Sequence, residues 1–139
     1  MTEVSQTAIV DKLPEALKAL LTTEARAMRQ RLGPFNPEPA PEADGVERVD
    51  IEHKILRSGA LYSGEMTTSG EISGLGFMIW PSGSIYEGYW KNNMANGRGR
   101  FISANGDVYE GLFFNAKIHG YGEYTGRDGA KYCGEWRDG

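Results

Sequence analysis

The side chains that most often do chemistry are few and scattered. His53 and His119 are the only histidines, and Cys133 is the only cysteine, among 139 residues. A transition-metal site needs several such donors at ligand spacing, and one thiol with two separated imidazoles does not provide them. A single cysteine also excludes an internal disulfide. No nucleophile elbow and no phosphate loop occur. The pieces "GRG" at 97–99 and "GYG" at 120–122 look like fragments of nucleotide loops, but they recur at one place inside hairpin-like stretches and so belong to strands. Asp107 and Glu110 in "ANGDVYEG" lack the ligand spacing of an EF-hand. The expectation is a protein with no catalytic residues, no metal and no cofactor.

Binding is the remaining job, and composition narrows the partner. Charged residues are 24% of the chain, hydrophobic residues 40%, and the net charge is −4. Nucleic-acid binding calls for a basic patch, which this balance does not favour. The start, "MTEVSQTAIVDKLP", lacks the basic and apolar regions of a secretory signal. No apolar run approaches the ~18 residues of a membrane span. The expected location is the cytoplasm.

Glycines and aromatics are unevenly distributed. Sixteen of the 19 glycines, and 14 of the 15 aromatics, lie from Tyr62 onward. Residues 1–10 are expected to be disordered. Over 11–32, Leu13, Leu17, Leu20, Leu21, Ala25, Met28 and Leu32 recur at steps of three and four, one apolar stripe on a helix. Asp11 is placed to cap it, Pro14 falls in its first turn, and Arg26, Arg29 and Arg31 suit its C-terminal dipole. Gly33 followed by Pro34 ends it. That stripe could pack on its own domain, bind a calcium-responsive EF-hand protein, or lie on an anionic membrane. Residues 33–50, with four prolines and five acids in 18 residues, read as an extended, solvated tether. Residues 51–139 hold the rest, with "IEHKILRS" as a lead-in strand that breaks the later glycine pattern.

From Tyr62 the chain repeats. "YSGEM" at 62, "YEGYW" at 86, "YEGLF" at 109 and "YCGEW" at 132 are separated by 24, 23 and 23 residues. A glycine stands three before each tyrosine, and "SGLGFM", "NGRGRF" and "HGYGEY" lie between them. These residues resemble the MORN repeat family over about residues 59–139. Met66 stands at the tryptophan place, Ser73 and Asn96 at the histidine place, and Met78 at the last aromatic place, so the first repeat is the least typical. The resemblance implies a mainly β fold: an elongated single-layer antiparallel sheet of consecutive hairpins, here with an N-terminal amphipathic helix. It implies a structural role for His119, and a non-catalytic scaffold whose groove takes helical or extended protein segments. The fourth repeat breaks off at "WRDG", so the expectation is a longer repeat protein with an open sheet edge.

Counting across the hairpins gives three columns on one face. The middle one is glycine throughout: Gly64, Gly76, Gly88, Gly99, Gly111, Gly122 and Gly134. One flank is Tyr86, Phe101, Tyr109, Tyr124 and Tyr132, with Met78 near its start. The other alternates large and bare: Met66, Gly74, Trp90, Gly97, Phe113, Gly120 and Trp136. This arrangement predicts a glycine-floored, ring-walled trough as the partner groove. The opposite face, with Glu87, Arg100 and Glu110, reads as mixed and mostly solvated. An aromatic face needs a cover, and a 21-residue helix and a seven-strand sheet would both span roughly 30 Å. The helix of this chain or of a neighbouring copy is therefore expected in the trough. The functional expectation is a scaffold of a cytoskeletal, ciliary or contractile assembly, with homo-oligomers or filaments among its forms. Alternatives are EF-hand recruitment by the helix, phospholipid attachment, which the acidic charge supports poorly, and targeting of an enzyme lying beyond residue 139.

Overall fold

The computed structural model describes residues 21–137. Its body is one open antiparallel sheet of eight strands, paired in sequence order. These are β1 (Arg48–Ile55), β2 (Leu61–Thr67), β3 (Ile72–Ile79), β4 (Ile85–Lys91), β5 (Met94–Ile102), β6 (Val108–Phe114), β7 (Lys117–Thr125) and β8 (Lys131–Trp136). The repeats supply seven of them, and the lead-in stretch adds β1 against β2.

Two kinds of turn alternate. At one end Asn92 and Asn93 (φ 50° and 66°), and Asn115 and Ala116 (φ 49° and 69°), make two-residue hairpin turns with both central φ positive. The first repeat has one more residue in its loop and closes there through Gly70 instead, whose N–H donates to Thr67 O at 3.0 Å. At the other end Gly59, Gly83, Gly106 and Gly129 each close a turn by donating to the residue three before.

The glycine column is continuous. Gly64, Gly76, Gly88, Gly99, Gly111, Gly122 and Gly134 pair in succession across β2–β8. The third column needs a correction. Counting along an unbroken ladder puts Met66, Trp90 and Phe113 opposite Gly74, Gly97 and Gly120 within their own hairpins. They pair instead with Ile72, Ala95 and Ile118, because the register slips at each hairpin. Gly74, Gly97 and Gly120 sit in the resulting bulges at φ +104°, +95° and +81°, a backbone that L side chains rarely adopt. Toward the following hairpin they do face Trp90, Phe113 and Trp136.

The helix differs most from expectation. Among the described residues there is one, α1 (Thr23–Leu32). It does not continue unbroken from residue 11, because Thr22 is extended (φ −73°, ψ 158°) and caps it, its hydroxyl accepting from Ala25 N at 3.1 Å. A threonine here does better as an N-cap than inside a helix. The C-terminus is as expected, with Gly33 at φ 76° and its N–H bonded to Arg29 O. Ten residues span about 15 Å, too little to cover the sheet. Leu13, Leu17 and Leu20 lie outside the described residues.

This helix also lies on the other face. Leu21, Ala25 and Met28 pack with Leu61, Phe77, Ile79, Ile85, Ile102 and Val108. Those strand residues alternate with the aromatic column and therefore point away from it. Leu32, at 39% exposed, does not join the contact. The face expected to be solvated is thus partly core. Glu87 is fully buried and receives Arg29 through two bonds of 2.9 and 3.2 Å, and Arg100 at 3.0 Å. Arg100 also donates to Gly33 O at 2.7 Å, so one carboxylate and two guanidiniums tie the helix end to the sheet. The start of the tether is docked as well. Phe35 is buried with Arg98 and Arg100 over its ring, Arg98 donates to Asn36 O, and Tyr89 Oη donates to Pro37 O at 2.9 Å. Residues 38–45 are exposed.

Removing one member of a buried ion pair leaves the other charge without its partner, at about 3–5 kcal/mol. Glu87→Ala, which strips both the Arg29 and the Arg100 guanidinium of their buried partner, should therefore lower the unfolding free energy by that amount in urea titration. Lys131→Ala, which loses only the exposed 3.9 Å pair with Glu123, should cost under about 1 kcal/mol.

Candidate partner groove on the aromatic face

The glycine column is not an empty trough. The Tyr62, Tyr86 and Tyr109 rings lie over Gly76, Gly99 and Gly122 of the next strand, where any Cβ would overlap them. Gly64, Gly88 and Gly111 are closed differently: a Cβ on each would run into the backbone of the neighbouring strand. The column is therefore a row of seats for tyrosine. Each hydroxyl then donates to the carbonyl three residues on: Tyr62 to Glu65 O (2.7 Å), Tyr86 to Tyr89 O (2.9 Å) and Tyr109 to Leu112 O (3.2 Å).

The other rings lock between the tyrosines. Trp90 stands edge-on to Tyr62 and Tyr86, Phe113 to Tyr86 and Tyr109, and Trp136 to Tyr109 and Tyr132, with centroids 5.0–5.8 Å apart. Trp90 Nε1 donates to Gly76 O at 3.2 Å. Burial pushes the Tyr62, Tyr86 and Tyr109 phenols above their ordinary value of 10.0. At β8 the pattern loosens: Tyr132 is 55% exposed.

A concavity of about 520 Å³ remains on this face. Of the residues assigned to the groove from sequence, Tyr86, Trp90, Phe101 and Phe113 line it. Gly64, Gly76, Gly88, Gly99, Gly111 and Gly122 do not, and neither do Tyr109, Tyr124, Tyr132 and Trp136. The lining also takes in Leu56, Met66, Ile72, Met78, Trp80, Met94 and Ala95, with Lys54 its one charged residue. Trp80 forms one wall, its ring 6.1 Å from Phe101 and 6.5 Å from Trp90.

A sequence signal for Leu56 and Trp80 existed. Both precede the glycine turn, at a place filled successively by Leu56, Trp80, Ser103 and Gly126 at the repeat spacing. Two large side chains followed by two small ones put the wall beside the first repeats only. Three methionines in the lining give it an adaptable surface.

The histidines stand apart from this groove. His53 sits at a β1 irregularity (φ 51°), and its N–H donates to Ser63 Oγ. His119 is exposed beside Phe114. Among the described residues no group of three His, Cys, Asp or Glu side chains could hold a metal ion. No described helix is long and apolar enough to cross a membrane.

A sheet built by repeating one hairpin, with a tyrosine seated on glycine at each step, defines a β-hairpin repeat protein. The family model for the MORN repeat matches residues 62–85, 86–108, 109–131 and 132–139, and the chain belongs to that family. Each match begins at one of the four tyrosines. Among curated proteins no significant match is found. The repeats mark a protein-binding or membrane-associated module of a generally non-catalytic family.

The buried phenols set a pH dependence. The unfolded chain releases these protons near pH 10 while the folded chain still holds them, so the stabilisation is complete below that pH and is lost as pH rises above it. Unfolding free energy should be level through about pH 9 and fall beyond about pH 10. Tyr86→Phe should fall less steeply than the parent chain in urea titrations across that range.

Proposed function

We propose that this chain is a non-catalytic scaffold module that holds apolar side chains of a protein segment, helical or extended, in the groove walled by Trp80, Trp90 and Phe101. The observation that carries this reading is the division of labour between the faces. The chain's own helix occupies the outer face, while the Met- and Trp-lined groove on the other has no described residue over it. Pockets of about 300–1,000 Å³ accept several anchoring side chains, and peptide grooves are read by such anchors. We place the module in a cytoplasmic assembly of the cytoskeletal, ciliary or contractile kind, where tandem repeats order their partners.

Recruitment of an EF-hand protein by the N-terminal helix draws less support. Leu21, Ala25 and Met28 are buried, and presenting them would mean breaking the Arg29–Glu87 pair. Lipid attachment draws less support as well, since Lys54 is the groove's one charged residue and the net charge is −4.

The full chain can be panned against a library of amphipathic and extended peptides, with affinities read from tryptophan fluorescence. Binders should weaken about tenfold or more, 1.4 kcal/mol, on Trp80→Ala or Met94→Asp. They should be unchanged by Leu112→Asp on the outer face. Binders indifferent to both groove substitutions would contradict the reading. Groove-dependent binding to phosphatidylserine vesicles without any peptide binder would transfer the face to lipid.

A further inference from the structure

Among the described residues the outer face is only half covered. Beyond α1, over β6 and β7, Leu112, Phe114 and Tyr121 are 46%, 57% and 64% exposed. Phe114 lies beside the His119 ring at 6.0 Å, and Leu112 packs over Gly120. These residues alternate with Gly111 and Phe113 of the aromatic face and so point the same way as the residues under α1. Acidic side chains share this side: Glu110, Glu123 and Glu135, whose Cα atoms pair with Arg100, Cys133 and Tyr121.

The course of α1 says what reaches this patch. Its first turn lies at the β5–β6 turn, where the Thr22 hydroxyl bonds to Ala104 O and Glu24 packs on Gly106. Its last turn lies at β3 and β4, where Arg29 meets Phe77 and Glu87. The axis therefore runs from the β6 side toward β3, so its N-terminal end is the one nearer β7 and β8. Leu21 itself is already seated in the outer-face cluster with Ile102 and Val108.

We infer that the segment at 11–20 docks on the outer face of β6–β8, with Leu13, Leu17 and Leu20 over Leu112 and Tyr121. Two arguments carry this occupant. The interface continues one already formed by Leu21, Ala25 and Met28. The lengths agree: β6 to β8 is about 10 Å across, and the Leu112 row lies about 13 Å along the strand from Val108; ten residues at helical rise span about 15 Å. Docking there completes the outer cover and leaves the aromatic groove as the face for a partner.

Cys133, the one thiol, is exposed on this same face opposite Glu123 and serves as a native reporter. Its alkylation rate by a maleimide is measured in the full chain, in Leu13→Asp/Leu17→Asp, and in Leu112→Asp. The inference expects both variants to react about tenfold faster or more, a loss of 1.4 kcal/mol of protection, with far-UV and near-UV dichroism showing the sheet intact. The parent rate should not change on dilution. Equal rates in parent and Leu13→Asp/Leu17→Asp would overturn the inference. So would protection that disappears on dilution, which would make a second copy the occupant.

Discussion

A tyrosine ring lying over a glycine of the next strand is the contact on which the rest of this sheet depends. A single-layer sheet has little volume in which to build a core, and here the core is made from the thickness of one ring. Tyr62, Tyr86 and Tyr109 come down onto Gly76, Gly99 and Gly122 because no Cβ holds them off. Their hydroxyls meet carbonyls left at the bulges, and Trp90, Phe113 and Trp136 fill the gaps edge-on. Glycine in a strand weakens it by itself. Seating a buried aromatic offsets that loss, since each such ring contributes a large apolar area.

With one face closed in this way, the other is free to take the helix. A carboxylate buried at Glu87 and shared by Arg29 and Arg100 fixes where α1 ends, while aliphatic residues fix its middle. The functional consequence is directional. The covering helix is spent on the outer face, and no described residue lies over the concavity beside Trp80.

Much of this was legible in the chain. The tyrosine period and the glycine pairings from Gly64 to Gly134 could be counted, and they hold across every strand pair of the repeats. The stop at Gly33 was equally plain. The bulges at Gly74, Gly97 and Gly120 were not, because pairing by count assumes an unbroken ladder and cannot tell a glycine chosen for its φ from one chosen for space. The trough misleads for the same reason: absent side chains suggest a void, whereas the neighbouring tyrosine fills it. The docking face does carry a signal in the sequence. The residue before each repeat tyrosine runs Leu61, Ile85, Val108 and then Lys131, an apolar row on the outer face that ends where α1's contact ends. The burial of Glu87 had no local signal, because its partner Arg29 is 58 residues away.

The claim that the middle glycines exist to seat tyrosines is tested most directly by a double-mutant cycle between Gly99 and Tyr86, read by urea unfolding. Gly99 has no positive φ to defend, and the three atoms nearest a methyl there all belong to the Tyr86 side chain. Gly99→Ala alone should cost about 1–3 kcal/mol, as overpacking does. In a Tyr86→Ala background the same methyl should be neutral or stabilising, giving a coupling of at least about 1 kcal/mol. An equal cost of Gly99→Ala in both backgrounds would show that something other than the ring requires glycine there, and would contradict the account.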